Sequence, residues 1–191
     1  MTSPAFALTR LGSLLVRGDD ARSFLQNQLS SDVALVSADS GQLSGWHDAK
    51  GRVLAFLRVL PAADGFLLVM HAGLVATVEK RMRMFVLRAR ITIDAGPAVY
   101  GVSAETLATL SPPGASLPDS GGSTSGQAGS AGELPAIVTG SFSALRMPGQ
   151  AGWLLVGELP PDGVADGSDA TAAWERAELE AGIPEVYPET S

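Results

Sequence analysis

The sequence carries few side chains that could perform nucleophilic, thiol or metal chemistry. It has no cysteine and only two histidines, His47 and His71. A Ser-His-Asp triad or a histidine metal site needs further groups in a defined constellation, and the adjacent pair His47-Asp48 does not supply one. Neither a Gly-x-Ser-x-Gly nucleophile motif nor a Gly-x-x-x-x-Gly-Lys-Ser/Thr phosphate loop occurs. These residues favour a protein that works by binding.

Two carboxylates are the best candidates for acid–base work. Asp32 and Asp48 each end a loop or turn beside an apolar element. Aspartate side chains commonly accept hydrogen bonds from their own backbone in turns, so a turn-forming role is the simpler interpretation of both. His71, which ends an apolar segment, is similarly expected to be a boundary residue bonded to backbone.

Cations are concentrated in one short segment. Five of the 13 lysines and arginines lie within 11 residues, namely Lys80, Arg81, Arg83, Arg88 and Arg90. Such a run is typical of a solvated helix face and the exposed side of the next strand. The alternative is a patch for an anionic tail such as a polycarboxylate or a phosphate.

Three tryptophans are the other distinctive side chains. Trp46 and Trp153 lie in apolar segments and are expected to fill a core. Trp174 lies in a glutamate-rich segment with helical spacing, which predicts a half-buried platform on which a flat heteroaromatic ligand could stack. Plain packing of that helix against a sheet explains the same pattern.

Composition and charge narrow the class of protein. The chain is 46% hydrophobic and 17% charged, with a net charge of −7. Residues 1–94 hold 11 basic and 8 acidic residues, whereas residues 95–191 hold 2 basic and 12 acidic ones. We therefore expect no direct nucleic-acid binding, which needs a broad positive field. No stretch approaches the roughly 20 apolar residues of a membrane span. The absence of cysteine makes the reducing cytoplasm the expected location.

Strands and helices alternate along the first half. Two short strands are predicted on either side of Gly12, followed by a helix with Asp19 as its N-cap. The strand 52–60 is expected to bury Val53, Ala55, Leu57 and Val59. Its other face, with Arg52, Leu54, Phe56 and Arg58, is amphipathic and is expected to line a cleft.

Two longer helices and one unusual segment complete the organisation. Helices are predicted at 72–86 and 170–181, the second ended by Gly182 and Pro184. Between them, residues 111–134 are rich in Gly, Ser and Pro, which predicts a flexible surface insertion. The predicted fold is α+β, with residues 1–110 and 135–191 forming two halves of one domain.

Three segments together resemble a known family. They are Phe-Leu-Gln-Asn-Gln-Leu-Ser-Ser-Asp-Val at 24–33, Asp-Ala-Lys-Gly-Arg-Val-Leu at 48–54, and Trp-Glu-Arg-Ala-Glu-Leu-Glu-Ala-Gly-Ile-Pro at 174–184. They are similar to the YgfZ family of folate-binding, tRNA-modifying proteins and its mitochondrial iron–sulfur assembly relatives. These families are cousins of the T-protein aminomethyltransferase of the glycine cleavage system.

The resemblance implies a fold, a ligand and a role. It implies an α+β, GcvT-like folate-binding domain with tetrahydrofolate in a central cavity against the second half. It also implies a part in assembling or repairing iron–sulfur clusters in enzymes that include tRNA methylthiolases. Trp174 matches a family tryptophan assigned to folate binding. Five further residues match positions of the family pattern and are predicted site residues: Gln28, Asp32, Lys50, Gly51 and Arg52.

Two departures from the family pattern bear on activity. T-proteins carry an Asp-Asp pair, part of the folate chemistry, at positions that correspond here to Ala55 and Phe56. A one-carbon or aminomethyl transferase is therefore the alternative function, and a non-catalytic interaction domain of the same fold is another. The family's Lys-Gly-Cys-Tyr segment is absent before Ser191, so we expect the chain to be a fragment or truncated product without the reactive cysteine and terminal barrel.

Overall fold

The computed structural model describes residues 5–112, 133–149, 152–159, 164–165 and 167–190. The predicted insertion falls outside these residues over 113–132. The strands are β1 (Ala5–Ala7), β2 (Leu11–Arg17), β3 (Ser40–His47), β4 (Val53–Ala62), β5 (Gly65–His71), β6 (Thr92–Ala95), β7 (Val99–Val102), β8 (Glu133–Val138), β9 (Phe142–Arg146), β10 (Trp153–Gly157) and β11 (Val164–Ala165). The helices are α1 (Ala21–Gln26), α2 (Ala72–Arg83), α3 (Ala104–Leu110) and α4 (Ser168–Glu180). None of these helices is long and apolar enough to cross a bilayer.

The described strands form one continuous sheet in the order β11-β1-β7-β10-β9-β8-β3-β4-β5-β2-β6. All neighbours pair antiparallel except β1 and β11, which are parallel. The consecutive strands β3, β4 and β5 are joined by short turns. Together with the helices, this sheet confirms the predicted α+β class.

Side chains of β2, β4 and β5 alternate between two hydrophobic cores. Val59 and Leu68 belong to the first core, in which α1 and α2 pack against the sheet. Their neighbours Leu60 and Val69 belong to the second core, which contains Trp174 of α4 and residues of β9 and β10. A third core lies around Trp153 and includes Leu107 of α3. Both faces of this part of the sheet are therefore buried.

Gly12 does not break a strand, contrary to the sequence prediction. It lies inside β2 and pairs with Met70 of β5. A Cβ atom at this position would lie 2.8 Å from Val75 Cγ2, so glycine leaves room for α2 to pack closely. The glycine therefore marks a close approach between helix and sheet. In the sequence, such a glycine looks the same as one that marks a turn.

The predicted N-cap at Asp19 is also wrong. The N-cap residue of α1 is Asp20, and its side chain makes no capping hydrogen bond to the helix. Instead the Asp20 carboxylate accepts a hydrogen bond from the backbone N–H of Arg90 (2.8 Å). This bond ties the start of α1 to the segment before β6.

The two long helices lie close to their predicted positions. In α2 the stripe Leu74, Val78 and Met82 is buried, but the helix ends at Arg83 and Phe85 is exposed. The helix α4 ends in a Schellman motif, in which Gly182 N–H donates to Leu179 O and Ile183 N–H donates to Glu178 O. Gly182 has a φ of 69°, which favours glycine, so the predicted stop at Gly182 is confirmed.

Candidate functional site

The β3–β4 turn holds three of the predicted site residues. The Asp48 carboxylate accepts hydrogen bonds from Lys50 N (2.8 Å), Arg52 N (3.0 Å) and Arg52 Nε (2.7 Å). Gly51 has a φ of 79°, the left-handed conformation that such a turn requires. Asp48 is thus the turn-forming residue that the simpler interpretation predicted. Its contacts occupy the Arg52 side chain and leave the exposed Lys50 amine without an ion pair among the residues placed by the structure.

The other two residues of this group lie on a loop beside β3. Leu29 bridges to Trp46, and Ser30 exchanges hydrogen bonds with Gly45 through its backbone N–H and its hydroxyl oxygen. The loop that carries Gln28 and Asp32 is therefore held against β3 near the β3–β4 turn. Asp32 itself caps a short 3₁₀ turn by accepting from Ala34 N (3.0 Å). The fold therefore brings Gln28 and the turn residues to one end of β3, whereas Asp32 lies farther along the strand, since the preceding Ser31 contacts Leu43 and Ser44.

Trp174 occupies a different environment from the one predicted. Its side chain is 4% exposed and packs in the second core, with its ring 6.0 Å from that of Phe6 in an edge-on contact. The predicted half-buried platform is therefore wrong, because α4 turns this face onto the sheet. Trp46 lies in the first core, on the opposite face of the sheet, so the loop beside it and Trp174 lie on different sides. The role of Trp174 in folate binding stays a prediction.

A buried ionic network lies beside Trp174, and the sequence did not predict it. Arg58 of β4 is 1% exposed and Glu178 of α4 is 3% exposed. Arg58 Nη2 donates to Glu178 Oε1 at 2.7 Å. Of the β4 face that was expected to line a cleft, Arg58 is therefore covered by α4, whereas Arg52 is exposed in the β3–β4 turn. An arginine inside the apolar run Phe-Leu-Arg-Val-Leu was the available signal, since a buried arginine requires a partner.

Arg10 extends this network to the segment that follows α4. Its guanidinium contacts Glu178 and Glu185, and its Nε lies 2.8 Å from Glu175 Oε1. The Schellman motif that ends α4 places Ile183 in the second core and leads the chain back toward Arg10. Two guanidinium groups thus face three carboxylates and hold α4 onto the sheet.

His71 has the structural role expected of it. Its Nδ1 accepts a hydrogen bond from Gly73 N (3.1 Å) at the start of α2, and its ring lies 5.0 Å from that of Tyr187. Within the described ranges, no group of three or more His, Asp or Glu side chains is arranged to hold a metal ion.

The charge of Asp48 gives the turn a pH dependence. The N–H of Arg52, followed by the Arg52 side chain and the N–H of Lys50, lowers the pKa of this carboxyl. The carboxylate therefore stabilises the fold above its unfolded pKa of about 3.9, and this contribution disappears as the pH falls through the lowered value. We expect the wild type to exceed Asp48→Asn in stability at neutral pH and this difference to shrink below about pH 4. Urea unfolding across this range measures it, and a constant difference would contradict it.

The fold is similar to that of a solved aminomethyltransferase. The fold matches the crystal structure of the glycine cleavage system aminomethyltransferase T from Bartonella henselae with a TM-score of 0.62. The match covers 97% of this chain and 48% of that one, at 18% sequence identity. The architecture is therefore that of the GcvT-like fold, as predicted.

Sequence similarity points to a particular group with this fold. The chain is 36% identical over 112 residues to the tRNA-modifying protein YgfZ of Edwardsiella ictaluri. It is 28% identical over 102 residues to the YgfZ of Vibrio vulnificus strain CMCP6. These matches cover 54% and 51% of this chain and 32% of each relative, so the chain spans about a third of their length. No family model matches. The predicted resemblance to YgfZ proteins is confirmed.

Proposed function

We propose that this chain takes part in tRNA modification as a folate-binding domain of the YgfZ type. The observation that carries this proposal is the coincidence of two similarities. About half of the chain aligns with tRNA-modifying YgfZ proteins, and nearly all of it has the fold of an aminomethyltransferase. A fold does not by itself define a function, so the role in tRNA modification is proposed from the sequence match.

The proposed ligand is tetrahydrofolate, which carries one-carbon units when bound. The donors of this chain fit such a molecule, since its carboxylates and ring carbonyl accept hydrogen bonds. Arg58 Nε is a buried donor without a hydrogen-bond partner among the described residues. The exposed Lys50 amine suits a carboxylate tail, and Gln28, Gly51 and Arg52 lie around the same end of β3. Asp32, farther along the loop, is a proposed contact on the resemblance alone. Trp174 lies on the other face of the sheet, so its proposed part in binding would be exerted through the packing of the second core.

Iron–sulfur proteins are the proposed partners, in the cytoplasm. Because the chain has no cysteine, it has no thiolate with which to hold a cluster. It would therefore act on enzymes that carry their own clusters, such as tRNA methylthiolases. Direct contact with the tRNA is not part of the proposal.

Aminomethyl transfer is the less favoured function. The two positions that correspond to the T-protein carboxylates are Ala55 and Phe56 of β4. Ala55 is fully buried in the first core, and Phe56 packs against the second. Neither side chain can orient or protonate a folate nitrogen.

Deletion of the gene tests the role in tRNA modification. The expected result is a several-fold fall in methylthiolated nucleosides in total tRNA, measured by mass spectrometry and restored by the wild-type gene. Pseudouridine is the internal control, because its formation needs neither folate nor a cluster. Unchanged methylthiolation would refute the proposal, and an equal fall in both nucleosides would indicate a general defect in tRNA.

A further inference from the structure

An exposed apolar group follows the end of α2. Met84, Phe85 and Leu87 are 63%, 54% and 87% exposed. The opposite stripe of the same helix is buried in the first core. Three large apolar side chains exposed within four residues are unusual for a free surface and are typical of an interface.

Local backbone geometry produces this exposure. Beyond Arg83 the chain continues in tight turns, with Met84 N donating to Arg81 O (3.1 Å) and Val86 N donating to Arg83 O (3.2 Å). Val86 packs against the first core and anchors the turn. Met84, Phe85 and Leu87 consequently project away from the core.

Unpaired cations surround these apolar side chains. Arg83 pairs with Glu79 and Asp94, and Arg90 pairs with Asp19 and Asp20. No ion pair joins Lys80, Arg81 or Arg88 to a carboxylate in the part of the chain that the structure describes. Lys80 and Arg81 lie in the last turn of α2, directly before Met84 and Phe85, and Arg88 directly follows Leu87. We call these six residues, Lys80, Arg81, Met84, Phe85, Leu87 and Arg88, the α2-end surface.

A cavity of about 330 Å³ lies at the edge of this surface. It is lined by Arg83, Val86, Ile91, Thr92, Ile93 and Asp94. Its walls are partly apolar and include one cation and one carboxylate. The cavity has room for a single protruding side chain of a bound segment.

We propose that the α2-end surface binds an acidic, amphipathic helical segment of a partner protein. The leucine-like side chains of such a segment would cover Met84, Phe85 and Leu87, and its carboxylates would pair with Lys80, Arg81 and Arg88. The proposal goes beyond folate binding and does not depend on it.

Side-chain type and shape favour a protein over an anionic polymer or membrane. Of the three apolar side chains, only Phe85 could stack on a base. The adjoining cavity suits a side chain, whereas membrane insertion needs a continuous apolar face.

Two synthetic amphipathic peptides test the proposal. Both carry leucine on one face, and the other face carries glutamate in one peptide and lysine in the second. We expect saturable binding of the glutamate peptide in fluorescence anisotropy, weakening as salt is added, with at least tenfold weaker binding of the lysine peptide. Phe85→Ser with Leu87→Ser should reduce the affinity about tenfold. Arg81→Glu with Arg88→Glu should shift the preference to the lysine peptide.

Leu179→Ser is the matched control, because Leu179 is 76% exposed on α4, outside the α2-end surface. It should leave peptide affinity unchanged. Equal binding of both peptides, no binding of either, or an equal effect of Leu179→Ser would overturn the proposal. It would also be overturned if total tRNA, or vesicles of phosphatidylglycerol and phosphatidylcholine, bound through the same residues more tightly than the glutamate peptide.

Discussion

Replacement of Glu178 with alanine is expected to lower the free energy of unfolding by about 3–5 kcal/mol. The change leaves the guanidinium of Arg58, which is 1% exposed, without the only charged partner that it has among the described residues. It also removes one of the three carboxylates around Arg10. A buried charge without compensation has a far higher cost than the net worth of the intact pair. Urea unfolding monitored by circular dichroism measures the loss.

Two comparisons isolate the buried charge as the cause. Glu175→Ala removes a neighbouring contact of Arg10, but the Glu175 side chain is 41% exposed, so we expect a loss of at most about 1 kcal/mol. Arg58→Met combined with Glu178→Leu replaces both charges by apolar groups and should recover most of the stability lost in Glu178→Ala. If Glu175→Ala and Glu178→Ala lower the free energy of unfolding equally, the burial of the Arg58–Glu178 pair is not the cause of the loss.

Replacement of Trp174 with alanine should cost about 3–5 kcal/mol, because it opens a cavity in the second core and removes the contact with Phe6. Loss of folate binding in that variant would therefore not distinguish a ligand contact from damage to the core. Trp174→Phe keeps an aromatic ring in the core and is the better probe. Calorimetric titration with tetrahydrofolate should show binding by the wild type and about tenfold weaker binding by Trp174→Phe.

Trp153→Phe is the control for this titration. Trp153 is as deeply buried as Trp174, but it lies in the third core, so the same substitution there should leave folate affinity unchanged. Equal effects of the two substitutions would assign Trp174 a purely structural role. No heat of binding with the wild-type protein would remove folate from the proposed function and leave the tRNA proposal to its own test.

The stability and binding predictions share one structural element. The helix α4 contributes Trp174 and Glu178 to neighbouring positions on one face, four residues apart. The ion pair with Arg58 holds that face on the sheet, and the Schellman motif fixes where the helix ends. Weakening of the Arg58–Glu178 ion pair should therefore also disturb the packing of the second core around Trp174.

Local patterns in the sequence determined much of this protein. Alternating apolar residues located β4, the i, i+4 stripe of Leu74, Val78 and Met82 located α2, and Gly182 located the end of α4. Asp48 was identified as a turn-forming residue, since its hydrogen bonds reach no further than four residues. These features depend on contacts between residues close in sequence, which spacing and residue type reveal.

Tertiary structure alone decided the surroundings of the charged and aromatic side chains. Gly12 was expected to break a strand because it is a glycine. It lies within β2 instead, where α2 packs closely against it. Trp174 is buried instead of exposed, and Arg58 pairs with a carboxylate 120 residues away. Periodicity tells which residues share a face of a strand or helix, but not which distant element covers that face. Burial and ion pairing over such separations arise only when the sheet and α4 pack together.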